Sequence, residues 1–169
     1  KKHKMTKNSI LFVIAMFNLT IASAQVKLEK IKGSKIVTVT TKEVESFENV
    51  EIEEFLVLYF VKNEKTSIDI EADDNLHDIV SYNVLGNTLK LTALKQPTGE
   101  KKMAIRVNYN DSLKTIDARH ESKINALADI NLENLTIKNY DKSQSFLNVK
   151  TTNFTLIMTD KSKAEINVK

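Results

Sequence analysis

Residues Leu113 to Lys169 read LKTIDARHESKINALADINLENLTIKNYDKSQSFLNVKTTNFTLIMTDKSKAEINVK, and here the chain repeats itself. Aligning Ser122, Ser143 and Ser162 sets intervals of 21 and 19 residues, a solenoid period. The columns around the serines are mostly apolar: Ile116, Ile137, Leu156 and Ala118, Asn139, Met158 before them. After them come Ile124, Ser145, Ala164, then Ala126, Leu147, Ile166, then Ala128, Val149, Val168. Polar residues alternate with these positions, which is the pattern of strands with one buried face. A coil of about 20 residues at ~3.3 Å each is roughly 65 Å around and buries its inner face only against a neighbouring coil. Stacked at about 4.8 Å, like residues lie over like. Asn134 and Asn153 open equivalent strands, and Asp141-Lys142-Ser143 returns as Asp160-Lys161-Ser162. The fold expected from these rungs is all-β: a parallel β-helix of solenoid type.

Upstream of the repeats, Ile36 to Thr41 is rich in β-branched residues, Val50 and Ile52 alternate with acids, and Phe55 to Val61 is an apolar run of strand length. Ser67 to Ala72 continues the series. One short helix is expected near residues 74–80, with Asp73 or Asp74 as side-chain cap and Leu76, Ile79 and Val80 on one face. Ser81 to Leu85 and Leu89 to Leu94 read as strands joined at Gly86-Asn87-Thr88 in a hairpin. Gln96 to Lys102, with Pro97 and Gly99, reads as an exposed loop, and Met103 to Tyr109 leads into the repeats.

The first residues form a different kind of segment. Lysines precede the apolar run Ile10 to Phe17, and Ala22-Ser23-Ala24 precedes Gln25, as in a secretory signal peptide cleaved after Ala24. The division expected is a signal over 1–24, a polar lead-in over 25–34 and a single domain over 35–169. The signal region holds four of the 25 basic residues and none of the 22 acidic ones, leaving 21 against 22 and a formal charge of −1. The basic excess thus belongs to the export signal, and a phosphate-tracking surface for nucleic acid is not expected. Cysteine is absent, so neither a lipid-bearing cysteine nor a disulfide framework is available.

The run Phe47-x-x-Val50-x-Ile52, the turn Ala72-Asp73-Asp74-Asn75-Leu76, the segment Asn87-x-Leu89-Lys90-Leu91 and the serine-marked repeats together resemble the GIN-type head domain of the putative auto-transporter adhesin family. The resemblance spans residues 35–169. It implies a right-handed β-helix-like fold in an exported Gram-negative protein, a domain of unknown function with no settled activity. The departure is in the turns: where that family favours Gly-Ala-Ser, this chain has His120-Glu121-Ser122, Asp141-Lys142-Ser143 and Asp160-Lys161-Ser162.

Candidate chemistry is sparse. Asp73, Asp74, His77 and Asp78 fall within one helical turn, but no second histidine stands at ligand spacing, so a solvated cap is expected and no metal site. His120, Asp141 and Asp160 form a turn column. Two stacked carboxylates could serve as an acid and base pair, yet Lys142 and Lys161 beside them point to a solvated edge. The serines recur once per coil, as turn residues do. No phosphate loop, nucleophile elbow or cofactor motif is present. Sugar stacking has nine aromatic candidates, among them Tyr59, Tyr140, Phe146 and Phe154, with Phe154 expected inward and Tyr140 outward near a turn.

The function expected is that of a non-enzymatic exported domain contacting a surface glycan or an envelope protein, touching the membrane only through its cleaved signal. The alternative is a carbohydrate-binding or carbohydrate-active β-helix protein. The location expected is the periplasm, outer membrane or cell surface. Lys169 falls in the column of Lys150, inside a strand, so the natural chain is expected to run on or the open coil to self-associate.

Overall fold

The structure, a computed structural model, describes residues 27–169. The expected export signal and its cleavage at Ala22, Ala24 and Gln25 lie outside the described residues. In chain order the strands are β1 (Lys30–Lys32), β2 (Val37–Glu43), β3 (Asn49–Ile52), β4 (Val57–Lys62), β5 (Ser67–Asp73), β6 (Val80–Leu85), β7 (Thr88–Ala93) and β8 (Gln96–Thr98). They continue as β9 (Met103–Tyr109), β10 (Thr115–Ala118), β11 (Lys123–Ala126), β12 (Ile130–Asn131), β13 (Asn134–Asn139), β14 (Gln144–Lys150), β15 (Asn153–Met158) and β16 (Lys163–Val168). The fold is all-β. No helix among the described residues is long and apolar enough to cross a membrane.

The repeats stack as their columns require. In a six-stranded sheet, ordered β15-β13-β10-β3-β7-β6, Leu89, Val50, Ile116, Ile137 and Leu156 lie over one another. In an eight-stranded sheet Ile105, Leu58, Ile124, Ser145 and Ala164 do the same across β9, β4, β11, β14 and β16. The inward residues of both sheets make one continuous core. Each fully buried Leu or Ile contributes about 1.5–3 kcal/mol, so most of a rung's stability resides in its neighbours.

A purely parallel β-helix is not what forms, because the sheets are mixed. After β4 the chain reverses: β5 runs antiparallel to β9, β6 antiparallel to β7, and β2 antiparallel to β5. The β7–β9 segment then inserts between these strands and β3–β4, so spatial order departs from chain order. The hairpin at Gly86-Asn87 forms with both residues at positive φ, 51° and 63°, the geometry that suits a tight right-twisted turn. Two further differences are local. The helix is a 3-10 helix over Asp74–Ile79 with no side-chain cap, and the expected loop over 96–102 contains β8, paired in parallel with β1 from the lead-in.

One column is also corrected. Val149 pairs with Ile130, not with Ala128. Lys123 pairs with Gln144, 21 residues on, but Ile130 pairs with Val149, 19 on, so two residues are extruded between them. Leu127 is 61% exposed, Ala128 is also exposed, and Ile130 takes the core position. At the far end β15 and β16 leave Leu156, Ile157, Met158 and Val168 partly open.

Asp73 does not cap a helix; it is fully buried. Its carboxylate accepts backbone N–H donors from Lys35 (2.8 Å), Lys101 (3.1 Å) and Lys102 (3.0 Å). A Cβ on Gly33 would lie 2.3 Å from Asp73 Oδ2, so only glycine fits against it. Next door, Asn75 accepts from the Ser34 N–H and donates to the Lys32 carbonyl, each at 2.9 Å. The Asp-Asp-Asn turn thus fastens residues 32–36 and the 101–102 segment to β5. Burial pushes the Asp73 carboxyl up, but the three backbone donors, with the Lys35 charge, outweigh it and hold the group below its ordinary value.

Inside the coil, the two polar interruptions of the apolar columns satisfy each other. Ser145 donates to Asn139 Oδ1 at 2.7 Å, and Asn139 Nδ2 donates to the Lys163 carbonyl of the next rung at 3.0 Å. Ser122 and Ser143, by contrast, bury hydroxyls with no partner among the described residues.

Three outcomes follow from these contacts. Because the Asp73 carboxyl is held below the value near ~3.9 of an unfolded chain, its contribution is complete above that pH and is lost as pH falls through the lower folded value. Urea unfolding across that range should show Asp73→Asn with a lower midpoint at neutral pH and a shallower loss into acid than the parent; parallel acid profiles would refute the clamp. Asn139→Ala should cost about 1–3 kcal/mol, with Ser145→Ala adding at least ~0.5 kcal/mol less in its presence than alone. Ser143→Ala should be neutral or stabilising by up to about 1 kcal/mol, since no bond is lost.

Candidate functional site

Period-two alternation decides what the eight-stranded sheet shows to the outside. On its outer face Asp69, Arg106, Tyr59, Asn125 and Phe146 fall in one row across β5, β9, β4, β11 and β14. Arg106 Nη1 lies 3.5 Å from Asp69 Oδ2. Asp69 also accepts from Thr41 Oγ1 at 2.8 Å and from Asn108 Nδ2 at 3.1 Å. One step along, Lys102 Nζ stands 3.3 Å from Glu71 Oε2. Such half-exposed pairs add only ~0–1 kcal/mol each to stability, so their arrangement is not demanded by the fold.

These side chains border a groove of about 480 Å³ floored by Ala104, within the size range of small-ligand sites. Val39, 65% exposed, forms one wall, and the extruded Leu127 stands with Tyr59 at the other. A larger hollow of about 750 Å³ lies between the 62–64 and 110–112 turns. All of its lining residues are polar or charged, with Lys62 ion-paired to Asp111.

The residues singled out in sequence go elsewhere. Asp73 turns into the protein while His77 Nε2 meets Thr38 Oγ1 at 2.9 Å, so the Asp73–Asp78 group does not converge. Ser122, Ser143 and Ser162 close stacked β-turns through N–H bonds to the carbonyls of Arg119, Tyr140 and Thr159. The residues at the left-handed position of those turns are His120, Asp141 and Asp160, with φ of 53°, 57° and 56°. His120 Nδ1 lies 2.9 Å from Glu54 Oε1 without hydrogen-bond alignment, and the His120 backbone N–H donates to Asp141 Oδ2 at 3.3 Å. Lys142 pairs with Glu121 at 2.9 Å, while Asp160 accepts from Thr159 at 2.9 Å. Asp141 and Asp160 are both exposed, beside the exposed Lys142 and Lys161. The column is a solvated, cross-linked edge.

Among the aromatic residues, Phe47, Phe60 and Tyr109 are core, and burial pushes the Tyr109 hydroxyl up to about 12. Phe154 packs partly buried against the core as expected. Tyr140 is half-buried, with the Arg119 guanidinium 4.8 Å from its ring centroid. Tyr82 packs partly buried against the core and Phe55 is half-buried in the bend before β4, which leaves Tyr59 and the 41%-exposed Phe146 on the outer row. Sequence reasoning named Tyr59 and Phe146 among nine candidates but missed Arg106, Val39 and Leu127. The signal for Leu127 was the unequal pair of intervals, 21 and then 19, which marks two residues with no place in the ladder.

Comparison with known proteins sets these features in a family. No curated protein matches the chain. Among solved structures, a putative adhesin from Parabacteroides merdae superposes with a TM-score of 0.67 at 16% identity, over 82% of this chain and 59% of that one. A putative adhesin from Parabacteroides distasonis gives 0.69 at 14% identity, again over 82% and 59%. A putative lipid binding protein from the latter organism gives 0.56 at 12%, over 82% and 65%. The chain therefore spans 59% of the two adhesins' length, and the likeness is one of fold. One fold carrying two such descriptions is a reminder that function resides in the site. Residues 46–168 match the family described as putative auto-transporter adhesin, head GIN domain, and the chain belongs to it.

Proposed function

We propose that this chain is a non-enzymatic interaction module of an exported protein, presenting the outer face of its eight-stranded sheet to a partner on the cell surface or envelope. The observation that carries the reading is the pair Val39 and Leu127, 65% and 61% exposed, flanking Tyr59 across one groove. Large apolar side chains held out of the core, among charges that are already paired, mark a contact surface. Family membership supports export and a surface role, with residues 1–24 as the export signal. We take the coil to wind right-handed, the hand of nearly all crossovers between parallel strands. The polysaccharide-cleaving alternative draws no support from Asp141 and Asp160, which stand exposed beside lysines and away from the groove.

Envelope fractions passed over immobilised protein should yield a partner whose recovery drops at least about tenfold for the double variant Val39→Asp, Leu127→Asp. Both side chains are exposed, so the variant should melt within a few degrees of the parent. Equal recovery by a folded variant would refute the surface.

A further inference from the structure

Resting on that reading, we propose that the groove on the outer face of the eight-stranded sheet is a binding site for an uncharged glycan, with Tyr59 as its stacking platform. Strands β5, β9 and β4 each have a hydrogen-bonded neighbour on both sides. Their backbone groups are spent, so a peptide cannot add along the groove's floor as an extra strand, and recognition there falls to side chains; among the lining strands only β2, which carries Val39, has an open edge. The charges of the groove cancel in pairs, Arg106 against Asp69 and Lys102 against Glu71. A phosphate or polyanion would have to break both pairs, and a cation would have to displace both basic groups. What fits is a neutral molecule with a flat apolar face and a hydroxyl-bearing rim.

A sugar ring has that shape. Its C–H face can lie on Tyr59, whose ring is apolar with a polar tip. Its rim hydroxyls can accept from the Arg106 fork and donate to the Asp69 carboxylate, two groups held next to each other by register. Leu127 then borders the apolar edge of that ring, while Val39, three strands from Tyr59, lines the far wall of the groove.

The row also supplies a second position. Asn125 stands between Tyr59 and Phe146, with register pairing to both, so the backbones that carry the two aromatic rings are two strand spacings apart, about 9.6 Å. Rings of a linear glycan step by about half that distance, so the first and third sugars of a chain would meet the two aromatic residues. A linear chain lying along the stack would meet Tyr59, the Asn125 amide and Phe146 in turn. The site is thus extended, and affinity should rise with chain length until both aromatic residues are covered.

Calorimetric titration with uncharged oligosaccharides of increasing length, from the glucose, galactose, mannose and N-acetylglucosamine series, tests this, with uronic-acid oligomers as charged controls. Expected are saturable binding to at least one uncharged series and at least about tenfold weaker binding for Tyr59→Ala. Phe146→Ala should leave the disaccharide unchanged and abolish the gain on lengthening. Parental binding by folded Tyr59→Ala, preference for the uronic acids, or silence across the uncharged panel would each overturn the inference. If the panel is silent while the Val39, Leu127 double variant still loses its envelope partner, the glycan assignment falls and the interaction surface stands.

Discussion

Register between stacked strands is the constraint on which everything else in this molecule depends. A single coil has no interior; Ile116 is buried because Val50 lies on one side of it and Ile137 on the other. With no cysteine to staple the chain, cohesion comes from matching apolar columns and from the few polar contacts that bridge rungs. Asn139 is such a bridge, and its position shows how a polar residue is tolerated inside. It sits where Ser145 can satisfy its oxygen and the next rung's backbone can satisfy its nitrogen. The other end is closed by reversing direction: β5 and β6 run antiparallel to the coil, β2 returns antiparallel to β5, and the buried Asp73 fastens the incoming chain onto them.

Much of this architecture is legible in the amino-acid sequence, because period-two alternation and a repeat near 20 residues are local signals. The columns led by Ile116, Ala118 and Ile124 hold residue for residue. What escaped were features set by distant partners. The insertion of β7 between β6 and β3, and of β9 between β5 and β4, follows from a chain reversal that no local pattern records. β8 is three residues long and contains Pro97, so it carries no strand signal of its own and exists because β1 pairs with it. Asp73 looks like a helix cap until residues some 30 positions away on both sides supply the donors that let a carboxylate be buried.

The candidate site was less legible than the fold. Its residues come from β2, β5, β9, β4 and the β11–β12 connection, and only the register brings them together. Alternation does say that Tyr59 and Arg106 face away from the core, but not that they adjoin, because β4 and β9 pair across more than 40 residues of intervening chain. The motif residues that drew attention first, Asp73 and the turn serines, turned out to hold the backbone in place.

The extruded pair Leu127-Ala128 has a wider implication. Rung pairing resumes at Ile130 as though nothing had been added, so this corner can absorb a change in length without disturbing the layers above and below. A scaffold with such a joint can be altered at its rim while its interior is conserved in form. Related chains could thus acquire different preferences through insertions of different size at this single corner.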